Sequence, residues 1–173
     1  RFKQRVSYTP DGSSQASEVT AFATVQPTFS DPALLSVLQQ QAVVVNATHD
    51  ALFAVDAGSD DITSFRVASD GALTLASRVS SGGTRPNSIA VHDNLVYALN
   101  SGDNTVSGFR VGGGAQLVAL AHSTRALAPG ANGAAAIRFT PDGRYVIVAE
   151  RVSNRLEVFP VHEDGRLGDP VVS

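Results

Sequence analysis

The seven residues Asp61-Ile62-Thr63-Ser64-Phe65-Arg66-Val67 recur as Thr105-Val106-Ser107-Gly108-Phe109-Arg110-Val111 and again as Arg155-Leu156-Glu157-Val158-Phe159-Pro160-Val161. Each copy places an aliphatic residue three positions before the Phe and a Val two after it. Asp60, Asn104 and Asn154 stand five before the Phe, and a Leu follows eight after it, at Leu73, Leu117 and Leu167. A degenerate copy, Glu18-Val19-Thr20-Ala21-Phe22, lies upstream, so that successive Phe residues are 43, 44 and 50 positions apart. A period of roughly 40 to 50 residues built from strand signals predicts four-stranded radial sheets, the blades of a β-propeller.

Within a repeat the apolar stretches are short, rich in Val, Ile, Leu and Phe, and cut by turn residues, which favours strands over helices. In the second repeat, strands are expected over residues 42–46, 52–56, 62–67 and 73–79. Ser69-Asp70-Gly71 and Glu163-Asp164-Gly165 read as hairpin turns between third and fourth strands, and Thr140-Pro141-Asp142-Gly143 as the turn between first and second. Gly supplies the positive φ such turns require. The one helical candidate is residues 31–41, where Asp31 can cap and Pro32 suits the first turn. The expected division is a partial, irregular blade over residues 1–41 and blades over 42–86, 87–133 and 134–173, all in one propeller domain.

Composition narrows the function classes. The chain has 173 residues, 43% hydrophobic and 17% charged, with a formal net charge of −3, as in ordinary soluble domains. No run nears the roughly 18 apolar residues that cross a bilayer. Thirteen basic against 16 acidic residues provide no basic stripe for nucleic acid. With no Cys, a disulfide framework, a thiolate nucleophile and a zinc–thiolate site are all excluded. The chain starts at Arg1 and lacks Met, so a processed chain or a fragment is expected. The Asn46-Ala47-Thr48 triplet fits a glycosylation acceptor. A secreted or cell-envelope location is the expectation, and a cytoplasmic one the alternative.

The stretch Leu52-Phe53-Ala54-Val55-Asp56-Ala57-Gly58-Ser59-Asp60-Asp61-Ile62-Thr63-Ser64-Phe65 resembles the lactonase-type seven-bladed β-propellers. So do Ser81-Gly82-Gly83-Thr84-Arg85-Pro86 and Thr140-Pro141-Asp142-Gly143-Arg144, the last leading into Val148-Ala149-Glu150. This family includes 6-phosphogluconolactonase and the carboxymuconate lactonising enzymes. The likeness runs over residues 38–173 and implies the fold more specifically than any activity. It also implies, for catalytic members, an inner strand opening with Gly-Pro-Arg-His and a following strand ending in Glu, the Arg and Glu lining the channel mouth. A guanidinium there can hold a substrate carboxylate while Glu or His moves a proton. Glu150 matches that Glu, whereas the Arg and His positions fall on Ala135 and Ala136, which can do neither.

Each remaining candidate has a functional and a plain reading. Glu150 is a general base, or an exposed carboxylate paired with Arg151 or Arg144. Arg85, just before Pro86 at the start of an inner strand, holds a substrate anion at the channel mouth, or simply belongs to the connection between blades. His49, His92, His122 and His162 show no chelating spacing. Asp56, Asp60, Asp61 and Asp103 lack the pattern of a calcium loop and are expected to form turns. No metal and no cofactor is expected. No Gly-x-Ser-x-Gly elbow occurs, and Gly112-Gly113-Gly114 reads as a hairpin loop rather than a phosphate cradle.

Two functions follow. The favoured one is a non-catalytic propeller that binds a ligand or protein partner. The alternative is a lactone hydrolase or cycloisomerase acting on a small lactone or sugar acid through Glu150 and Arg85. Divided by its period, the chain holds about four units, the low end of the roughly 4 to 8 blades that close a ring. Its upstream unit is defective, so the chain is expected to be about half of a larger ring.

Overall fold

The computed structural model describes residues 41–173. The upstream repeat around Phe22, the partial blade and the helix expected over 31–41 lie outside them, apart from Gln41, which is a turn residue. Three antiparallel sheets follow one another along the chain. The first is β1 (Val43–Val45), β2 (Ala51–Asp56), β3 (Asp61–Val67) and β4 (Leu73–Ser80), in that spatial order. The second is β5 (Pro86–His92), β6 (Leu95–Asn100), β7 (Thr105–Val111) and β8 (Leu117–Ala119), with β9 (Arg125–Ala126) also pairing β7. The third is β10 (Ala134–Phe139), β11 (Tyr145–Glu150), β12 (Arg155–Pro160) and β13 (Val171–Val172). Inner strand β5 packs against β1 and β2 on one side and β10 on the other, as in consecutive propeller blades.

The recurring residues are explained by how the sheets stack. Because side chains alternate along a strand, each central strand sends one set towards the preceding sheet and one towards the next. Phe109 and Leu117 enter the core between the first and second sheets with Phe53, Ile62, Ile89 and Val96. Phe159 and Leu167 enter the core between the second and third with Tyr97, Leu99, Val106 and Ile137. The repeated Phe and Leu are therefore the pair with which a sheet plugs into the one before it. Both faces of the middle sheet are covered, so β6 is buried from Val96 through Asn100. Burying each such aromatic stabilises by about 1.5–3 kcal/mol.

The recurring polar residues fix the turns. Asp60, Asn104 and Asn154 all adopt positive φ, at 59°, 53° and 54°, a region that Asn and Asp tolerate better than other side chains. The turn between first and second strands does the same at His49, Asp93 and Gly143. Asp60 and Asn104 also tie sheets together. Asp60 Oδ1 accepts the Arg85 N–H at 2.6 Å, and Asn104 Nδ2 donates to the Ala131 carbonyl at 3.2 Å.

The expected hairpin turns form, with Gly71 at φ 85° and Gly165 at φ 80°. Gly113–Ala115 is a short 3-10 turn joining β7 to β8, two strands. The aspartates do more than shape turns. Asp56 accepts the Gly58 N–H, but Asp61 forms an ion pair with Arg78 at 2.7 Å.

Candidate functional site

The connections between sheets and the turns between second and third strands lie at one end of the stack, as the Asp60–Arg85 hydrogen bond shows. Arg85 is exposed, with φ 49°. Its carbonyl accepts from the Ser101 N–H at 3.1 Å and the Ser101 hydroxyl at 2.9 Å, so its backbone is anchored on both sides. Its guanidinium makes no ion pair among the described residues.

Glu150 departs from its plain reading. It ends β11 and is 4% exposed, whereas an exposed carboxylate paired with Arg151 or Arg144 was expected. Arg144 precedes β11 and so sits at the strand's other end. The Glu150 carboxylate accepts the Asn132 N–H at 2.8 Å and the Ser153 hydroxyl, and pairs with Arg155 Nη2 at 3.3 Å. The equivalent residue of the second sheet is Asn100, also fully buried, whose amide donates to Thr105 and Ser107 and to the Ser81 carbonyl. This strand end is thus a buried polar joint in both sheets.

Beside Glu150 stands a second carboxylate that sequence reading passed over. Glu157 on β12 is fully buried, accepts the Ala128 N–H with both oxygens at 2.9 Å, and lies 3.7 Å from Arg155 Nη2. The available signal was a charged residue two positions before Phe159, on the face that alternation turns inward. Burial pushes the Glu150 carboxyl upward, yet hydrogen bonds from Ser153, Glu157, Asn132 and Arg155 together leave it below its ordinary value. Burial, and next the hydrogen bond to Glu150, push Glu157 above its own.

The Arg and His positions that the family resemblance implies are β10 residues Ala135, buried, and Ala136, half-buried. The ladder shifts register between Ala134 and Ala136, so Ala135 is a bulge residue. Asn87 is its counterpart in β5, at the shift between Pro86 and Ser88. Asn87 Nδ2 donates to the Ala134 carbonyl at 2.8 Å, while its buried Oδ1 has no protein partner. No hydrogen bond or ion pair joins Arg85 to Glu150 among the described residues.

The other candidates are dispersed. His49, His122 and His162 are exposed, and His92 stacks on Phe139 with ring centroids 5.4 Å apart. Among the described residues no three of His, Cys, Asp and Glu converge on a point, and no helix is long and apolar enough to cross a membrane. Asn46 works as a turn staple: its amide donates to Thr48 Oγ1 at 2.8 Å and Asp50 Oδ1 at 2.7 Å and accepts from two backbone N–H groups.

Over residues 4–126 and 42–169 the sequence matches the family described as lactonase, 7-bladed beta-propeller. The chain belongs to this lactonase family. Among curated lactonase relatives, a 6-phosphogluconolactonase of Yersinia pestis (strain Pestoides F) is 28% identical over 131 residues, 71% of this chain and 39% of that protein. A 6-phosphogluconolactonase of Photorhabdus laumondii is 32% identical over 111 residues, 61% of this chain and 34% of that protein. Among solved structures, the periplasmic gluconolactonase of Pseudomonas aeruginosa matches with a TM-score of 0.63 at 20% identity, over 75% of this chain and 38% of that one. The chain thus spans about two fifths of the length of the first of these curated relatives.

Proposed function

We propose that the three blades form part of a larger lactonase-like propeller that binds a small sugar acid or lactone without using Glu150 as a base. One observation carries this: the Glu150 carboxylate is committed to Asn132, Ser153 and Arg155 and closed from water, so no oxygen faces a substrate. A general base must reach the proton it removes. Ala135 and Ala136 add no anion holder or proton carrier. Arg85 is an exposed cation at this end with no ion pair among the described residues, and its role is to hold a ligand carboxylate or phosphate.

The second reading is a lactone hydrolase, and the curated relatives named 6-phosphogluconolactonase favour it. Its catalytic groups would then come from blades other than these three. The blades act outside the cytoplasm in our reading, in line with the periplasmic location named for the Pseudomonas aeruginosa structure.

The test is hydrolysis of 6-phosphogluconolactone and gluconolactone by the intact protein and by Glu150→Gln, against buffer alone. The proposal expects both proteins to match the buffer. Hydrolysis above buffer that Glu150→Gln abolishes would restore Glu150 as the base. Hydrolysis that survives the substitution overturns the non-catalytic reading while leaving Glu150 structural.

A further inference from the structure

The connection from the second sheet to the third, residues 127–133, has its carbonyls bonded by Asn104, Ser153 and Arg155 and two of its N–H groups taken by carboxylates. Glu157 takes the Ala128 N–H, and Glu150 takes the Asn132 N–H. Both carboxylates reach the same guanidinium nitrogen, Arg155 Nη2, at 3.3 and 3.7 Å. Two buried carboxylates that share one cation leave one negative charge over, and an uncompensated buried charge is strongly destabilising. Like charges this close resist ionising together, which favours a proton held between them.

We propose that Glu150, Arg155 and Glu157 form a proton-locked clasp on this connection, Glu157 carrying the proton and donating it to a charged Glu150. The hydrogen bonding decides which partner is charged. Glu150 accepts from Ser153, Asn132 and Arg155, all of which favour an anion, whereas Glu157 accepts from one backbone N–H and lies farther from Arg155. The other charged groups nearby leave this count unchanged. The connection itself contains no titratable residue. Arg125 on β9 directs its Nε to the Leu167 carbonyl at 2.9 Å. Arg151 follows Glu150 directly and is exposed. Val172 of β13 and Val148 of β11 pair with Glu157 and bring no charge.

The clasp holds over a window of pH that closes from both sides. Glu157, raised in the folded protein, contributes stability that is complete below its unfolded value and is lost as pH rises through its folded one. Glu150, lowered, contributes stability that is present above its unfolded value and lost as pH falls through its folded one. Loss of the shared proton puts two anions beside one cation, and their repulsion pushes apart the two carboxylates that hold the connection.

The test compares thermal unfolding of the wild type and Glu157→Gln from about pH 4 to about pH 9. Gln reproduces the protonated acid, accepting from Ala128 and donating to Glu150, and cannot ionise. The variant is expected to gain on the wild type as pH rises through the Glu157 window, the difference then levelling off. A difference that does not change with pH overturns the clasp. Infrared spectroscopy of the wild type supplies a readout that needs no variant. A protonated-carboxyl C=O band is expected to persist above the ordinary Glu range and vanish as the protein becomes less stable. Its absence throughout also overturns the proposal.

Discussion

Tyr97 shows how one side chain can be both core and clamp. Its ring is fully buried and lies 5.3 Å from Phe139, centroid to centroid, while its hydroxyl donates to the Gly165 carbonyl at 2.5 Å. Burial, with the nearby Asp164 charge, raises its phenol far above the ordinary value, so the hydroxyl remains a donor at any pH the fold tolerates. Tyr97→Phe keeps the ring and leaves the Gly165 carbonyl without this donor. The expected cost is about 1 kcal/mol in urea unfolding, with no change in the slope of the transition. Glu157 lies at the opposite pole of legibility. Its spacing from Phe159 is the one inward signal in the sequence, and a single sequence reveals neither its partner amide on residue 128 nor the arginine it shares, because both depend on the path of a connection.

At the scale of elements, strands two and three of each repeat were the most legible. They carry the periodic Phe and aliphatic residues and have a neighbour on each side, so pattern and pairing agree. The outer strand of the first sheet was legible too, expected over 73–79 and formed over Leu73–Ser80. The other two outer strands depart from that template: the third sheet's is two residues long, and the second sheet's is broken into β8 and β9. The break has a local cause. Ser123, between the two pieces, bonds with its hydroxyl to both the N–H and C=O of Gly108, and a side chain at Gly108 would run into the Tyr97 ring. An outer strand pairs on one edge only, so such side-chain bonds can replace its ladder.

Turns offer a sharper test at this scale. Gly143 and Gly71 both have positive φ, 69° and 85°. A Cβ at Gly71 meets nothing, while one at Gly143 would overlap the His92 ring that stacks on Phe139. Gly71→Ala is therefore expected to cost about 1–2 kcal/mol from backbone strain alone. Gly143→Ala is expected to cost more, because His92 must also give up its place. Equal losses in urea unfolding would show that the His92 contact between sheets contributes nothing.

For the whole molecule, the third sheet is the informative one. Leu156 stands where Ile62 stands in the first sheet and Val106 in the second. Those two are fully buried by the sheet that follows, whereas Leu156 is 46% exposed, with Tyr145 at 39% and Val171 at 68%. Asn154 repeats Asp60 and Asn104 in sequence and in φ. This face is shaped like the two faces that a following sheet covers, and the family model that the chain matches is described as seven-bladed. In the 173-residue chain, Leu156→Lys is expected to change stability by no more than about 0.5 kcal/mol, as at other surfaces, while Val106→Lys, burying an unpaired charge, prevents folding. In a protein that carries a further blade, Leu156→Lys should become as damaging as Val106→Lys. Should Leu156→Lys remain harmless there by thermal unfolding, the third sheet would be a true edge of the fold and the arc of blades would end with it.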